Sequence, residues 1–284
     1  MQVEKKVLAN LTKCYSIAPL TYQGRFHFLV AAEKTDRCIL FDETGKEVDT
    51  VWERPGGVMT MVQVPGSDGQ FLATHKFYSP NDSKEAKLVT VTPADGVWEV
   101  KTLAELPFVH RFDILVRNGV KYLIACTLKS GHAYKDDWSC PGKVYCAVLP
   151  DDLSTFDEAH PLPLTVLKEG LTKNHGYART EDGGMDTAVI SCENGIFQFL
   201  PPEQKSRRYC RADQHSCDTA GSDWQREYGL PSSEGLSWNT PGTYPSHRCH
   251  TLPGRRSTTA SAEFPSSCHG GHCPPYTPPS WICF

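Results

Sequence analysis

The chain has 284 residues, with 29 Lys plus Arg against 33 Asp plus Glu and a formal net charge of −4. That near balance argues against nucleic acid or an anionic membrane as the main partner. Hydrophobic residues make up 39 %, and no apolar run reaches the roughly 18 residues that a membrane-spanning helix needs. The first residues, MQVEKKVLANLTKCYSIAPL, lack the continuous apolar stretch of a secretory leader, so a cytoplasmic protein is expected.

Short apolar or alternating runs follow in chain order at 26–32, 37–42, 58–64, 71–77, 87–92, 97–102, 112–117, 121–127, 143–149, 187–192 and 196–200. Most contain β-branched or aromatic residues, which fit a pleated, half-buried surface. Turn chemistry separates them: Glu43-Thr44-Gly45-Lys46, Ser67-Asp68-Gly69, Asn118-Gly119 and Glu193-Asn194-Gly195. Asn118-Gly119, between DILVR and VKYLIACT, is the strongest hairpin signal. The best helical stretch, 153–159, is short and is followed by Pro161 and Pro163. The fold class is therefore all-β.

The runs repeat as groups. Each group opens with an apolar strand, turns at Gly, continues in a very apolar second strand, and closes with more polar strands. Openings fall at Val58, Val109 and Asn174, and a fragmentary earlier group covers 25–53. Four strands per unit at this period predict a β-propeller-like array of about four blades. A β-sandwich or an open β-rich barrel is the competing architecture. An array that stops before closing would leave a sheet edge open to aggregation, and such an incomplete propeller would have no function of its own.

In its strand grouping over roughly 20–202 the chain resembles the β-propeller proteins, loosely those of the FG-GAP/VCBS type. The Asp-rich calcium loop (DxDxDG) of that group is absent, and so is a Trp-Asp blade ending. The resemblance implies that the first strand of each blade lines a central channel. Met59, His110 and His175 then occupy equivalent positions at blade openings, with Arg111, Asp113, Asn174, Tyr177 and Arg179 close by. A neutral imidazole is a common metal ligand and a general base near neutral pH. His110 and His175 with Asp113 are thus the candidate catalytic set, and the two histidines are candidate ligands for a divalent metal, the one cofactor these residues suggest. The plainer alternative is that each His only bonds the neighbouring blade.

The loop SGHAYKDDWSCPG after the LIACTL strand is the richest in functional groups. His132, Tyr134, Asp136, Asp137 and Trp138 from it, with Tyr177 and Arg179, form the candidate ligand-binding set. The alternative is a solvated loop with Trp138 folded back on its blade. No GxSxG, HExxH, P-loop or GxGxxG motif is present. The expected function is a binding module for a small molecule, glycan or protein, with no nucleic acid and no membrane. Several propellers that the chain resembles in outline act on carbohydrates, and a carbohydrate-active enzyme of lyase or dehydratase type with a His-lined channel is the alternative.

Composition breaks near Pro201-Pro202, which divides a propeller-like domain at 1–202 from a tail at 203–284. Residues 201–284 hold no Val or Met and only six Leu, Ile or Phe, but 11 of the 21 prolines, 12 serines and 6 of the 12 cysteines. So few aliphatics do not offset the ordering entropy of a packed core. The tail reads as disordered, as metal-stapled through Cys249, His250, Cys268, His269, His272 and Cys273, or as a non-native reading frame. The Cys and His spacing matches no standard zinc finger.

Overall fold

Runs of alternating residues joined by tight turns leave each strand little choice but to pair with the next one. A computed structural model describes residues 4–203 and 206–210. Among these are sixteen strands. The first blade contains β1 (Cys14–Tyr22), β2 (Arg25–Ala32), β3 (Cys38–Asp42) and β4 (Glu47–Trp52). The second contains β5 (Met61–Gln63), β6 (Phe71–His75), β7 (Lys87–Ala94) and β8 (Val97–Glu105). The third contains β9 (Val109–Arg117), β10 (Val120–Thr127), β11 (Gly142–Val148) and β12 (Thr165–Leu171). The fourth contains β13 (Gly176–Asp182), β14 (Met185–Cys192), β15 (Gly195–Phe199) and β16 (Ser206–Cys210). Each blade is a four-stranded antiparallel meander in chain order, and the four blades form a propeller.

The second strands are the most apolar because both of their faces are covered. In β10, Leu123 and Ala125 pack into a core shared with Met59, Leu72 and Leu88 of the second blade. The alternate residues Ile124 and Cys126 pack with Ala188, Ile190, Phe197 and Phe199 of the fourth. In β2, Leu29 and Ala31 join Phe71, Val89 and Val91, while Phe28 and Val30 meet Ile39, Phe41 and the N-terminal Ala9 and Leu11. Each such Leu, Ile or Phe contributes about 1.5–3 kcal/mol when fully buried.

The strands that the apolar pattern misses have identifiable causes. β1 carries Pro19 opposite Phe28, and an internal proline argues against a strand. β4 and β12 are largely polar and lie at the outer edge of their blades, where one side meets water. The short stretch at 153–159 is a turn and no helix, held by a Phe156 N–H bond to Leu153 O at 3.3 Å. The fourth blade reaches Cys210, past the boundary expected at Pro201-Pro202, because β16 pairs Ser206 with Phe199 and Arg208 with Phe197. The expected zinc cluster at 249–273 lies outside the described residues.

Gly56 and Gly57 tie the connection before β5 to the connection after β6. Their carbonyls accept bonds from Lys76 N at 2.9 Å and Phe77 N at 3.1 Å. Gly57 has φ of 77°, and a Cβ there would lie 2.3 Å from Phe77 N. Only glycine allows this approach.

Candidate functional site

Each blade presents the start of its innermost strand at the same end of the molecule, and the side chains there converge. Tyr15 comes from β1, Thr60 from the entry to β5, His110 and Arg111 from β9, and His175 from the entry to β13. The His110 and His175 rings have centroids 4.4 Å apart and are tilted by 38°. His110 also meets Phe77 edge-on at 4.9 Å and Tyr15 at 6.3 Å. Thr60 Oγ1 donates to His110 O at 3.0 Å, and Thr74 Oγ1 accepts from Met59 N at 2.6 Å. Arg111 donates to Met59 O at 2.9 Å and to the Tyr15 hydroxyl at 3.4 Å, with its guanidinium 5.7 Å from the Tyr15 ring centroid. The two histidines of equivalent repeat positions therefore meet ring to ring.

His110 is 3 % exposed, and its Nδ1 is buried with no hydrogen-bond partner among the described residues. Burial, then the Arg111 charge, then His175 hold its pKa well below the ordinary value. Burial and Arg111 together lower His175 to about 4. Both rings are therefore neutral at pH 7, each with one N–H donor and one acceptor nitrogen.

Asp113 does not join them. Its Oδ2 accepts from Tyr177 Oη and Arg179 Nε, both at 2.9 Å, and its Oδ1 accepts from Ile114 N at 2.7 Å and from Arg179 Nη2. The β9 register shifts at His110, and beyond it Asp113 turns to Tyr177 and Arg179 of β13. Burial works against the Arg179 charge, but the bond and the charge of Asp113 outweigh it and raise its pKa. Burial, then Asp113, pushes the Tyr177 hydroxyl well up. Tyr177 and Arg179, expected to bind ligand, thus form an ion-pair network between the third and fourth blades. Among the described residues no group of three or more His, Cys, Asp or Glu side chains stands where it could hold a metal ion.

The connection from β10 to β11 leaves the molecule at the same end, since Thr127 pairs with Val109 at the start of β9. Much of it is fastened internally. Asp137 accepts from Ala133 N and Ser139 N, both at 2.8 Å, and these bonds lower its carboxyl to about 2. Lys129 is 0 % exposed. Its Nζ donates to Asn81 Oδ1 at 2.8 Å and to Asp137 O at 3.1 Å, and lies 4.6 Å from the Trp138 ring centroid. Burial lowers its pKa. Lys173 covers Trp138 from another side at 5.6 Å. Asp136 accepts from Asn81 Nδ2 at 2.7 Å, His132 packs edge-on to Phe108 at 5.8 Å, and Tyr134 is 69 % exposed. Sequence reasoning missed Lys129, which looks like any lysine at a strand end, and Tyr15, which lies on the strand hidden by Pro19.

No family model matches the chain, and no curated protein matches it. Among solved structures it is similar to one titled "Structure of Dos1 propeller", at 11 % identity and TM-score 0.45, over 71 % of this chain and 48 % of that one. It is also similar to a protein of unknown function from Bacteroides thetaiotaomicron, at 13 % identity and TM-score 0.47, over 72 % and 46 %. A third is an α-L-arabinanase from Cellvibrio cellulosa, at 12 % identity and TM-score 0.40, over 72 % and 79 %. The chain spans about half the length of the first two.

Proposed function

We propose that this propeller is a ligand-binding module whose ligand sits at the channel mouth formed by Tyr15, Thr60, His110, Arg111 and His175. The observation that carries the reading is the convergence of polar side chains from four separate inner strands on one point. A packed core does not need neutral imidazoles and a guanidinium there, and concave sites with a few converging polar groups are where small ligands bind. Tyr134 and Asp136, on the adjoining loop, offer an outer contact for a glycan, small molecule or protein. A cytoplasmic location belongs to the same reading and is supported by the six free thiols among the described cysteines. Among the described residues no helix is long and apolar enough to cross a membrane.

The test is a fragment screen by two-dimensional NMR on the full chain. Hits should perturb Tyr15, Thr60, His110 and His175 together, and His175→Ala should weaken them. Hits confined to the opposite end, at the Asn118-Gly119 hairpin, would contradict the assignment. Conversion of a bound glycan during the same titration would move the reading to the carbohydrate-active alternative.

A further inference from the structure

Arg111 stands at the mouth without a counter-ion. Its acceptors are one carbonyl and one phenol oxygen, both neutral. Among the described residues no carboxylate forms an ion pair with it. The nearest in sequence, Asp113, is engaged by Arg179 and Tyr177. Around it lie two neutral imidazoles, one with a buried nitrogen that lacks a partner. A half-buried cation normally acquires a paired anion, because desolvation is otherwise uncompensated. The next blade supplies the contrast, since Arg179 on β13 has its anion and Arg111 on β9 does not.

We infer that the mouth binds an oxyanion, a carboxylate or phosphate group carried by the ligand, with Arg111 as the charged anchor. This rests on the reading of the mouth as the ligand site. A guanidinium has five N–H donors, and the bonds to Met59 O and Tyr15 Oη use two of them, which leaves donors free for an anion. Bonds to a charged acceptor are shorter and stronger than neutral ones, and the planar fork favours carboxylate and phosphate. An imidazole N–H of His175 or His110 adds a neutral donor. Burial is the main reason both histidines are neutral and the Arg111 charge adds to it; the anion offsets that added part, so binding raises their titration midpoints.

The experiment titrates the full chain with D-glucuronate, with D-glucose and with inorganic phosphate, and follows the imidazole NMR signals of His110 and His175. The expected result is a saturable shift of both signals with glucuronate or phosphate, and glucose weaker by at least about tenfold, the worth of one charge-assisted bond. Tighter saturation by glucuronate assigns an acidic sugar or other carboxylate, and tighter saturation by phosphate assigns a phosphorylated ligand. Arg111→Gln should abolish the shift and Arg111→Lys should restore part of it, with the far-ultraviolet spectrum unchanged. If Arg111→Gln does not fold, Arg111→Lys carries the test through weaker binding of the same probe. Equal binding of glucose and glucuronate would overturn the oxyanion while leaving the mouth as the ligand site. The absence of any saturable shift with both anions would also overturn it, and fragment hits at the mouth would then show that the site itself survives. Anion shifts that map to Lys129 instead would overturn it in favour of the loop.

Discussion

Two polar clusters lie two residues apart on β9 and differ in one respect. Around Asp113 every strong donor has an acceptor: both carboxylate oxygens are engaged, Tyr177 and Arg179 are fixed, and the third and fourth blades are joined. Around His110 and Arg111 the charge has no partner of opposite sign and a buried nitrogen has no bond. A buried polar group left unsatisfied costs about 1–3 kcal/mol, so evolved cores keep few of them without a reason. The completed network holds blades together. On the reading proposed above, the incomplete one receives a ligand from solution.

Acid should have the largest effect, through the buried histidines of the incomplete side and through His75. His175 has a folded pKa of about 4 and His75 of about 3, against 6.5 for an ordinary histidine, and His110 lies well below it. The unfolded chain therefore binds more protons between pH 6.5 and 4. Stability is complete above 6.5 and declines as pH falls toward 4. His75, enclosed against Trp52 with a centroid distance of 4.7 Å, should contribute about 3 kcal/mol to that decline. Urea unfolding at stepped pH checks this, and His75→Phe should flatten the curve.

The completed side is broken by Asp113→Ala, which strands Arg179 and Tyr177. A loss of about 2–3 kcal/mol is expected, less than for a fully enclosed pair because Arg179 is partly in water. Asp113→Asn should recover part of it. The Lys129 clamp is also complete, and Lys129→Met should cost about 1–2 kcal/mol and loosen the 131–141 loop, read as faster amide exchange there. Arg111→Gln should change stability least, by under about 1 kcal/mol, since it removes bonds to neutral acceptors only. It should nevertheless raise the His175 midpoint above about 4, because Arg111 is the second cause of its depression after burial.

The blades were legible in the sequence because a doubly covered strand is largely apolar, as in Phe71–Ala73 of β6 and Leu123–Cys126 of β10. Repeated runs with Asn-Gly and Asp-Gly turns then give four units and the openings at Val58, Val109 and Asn174. β1 was not legible, since Pro19 carries the opposite signal and the pairing with β2 overrides it. The meeting of His110 with His175 was legible from equivalent repeat positions. The diversion of Asp113 was not: the register shift at His110 and the pairing of Asp113 with Tyr177 and Arg179 are tertiary facts. Lys129 gave no signal because burial of a lysine depends on Trp138 and Asn81, which are distant in the chain. The tail from 211 on lies outside the described residues, and its readings stand as sequence expectations.

The most direct test of the account is a pH titration of the histidine imidazoles by NMR on the full chain without ligand. The expected result is ring-to-ring cross-peaks between His110 and His175, a His175 midpoint of about 4, and no titration of His110 down to that pH. Two independent midpoints near 6.5 with no cross-peak between the rings would contradict it, because the two buried rings would then not meet.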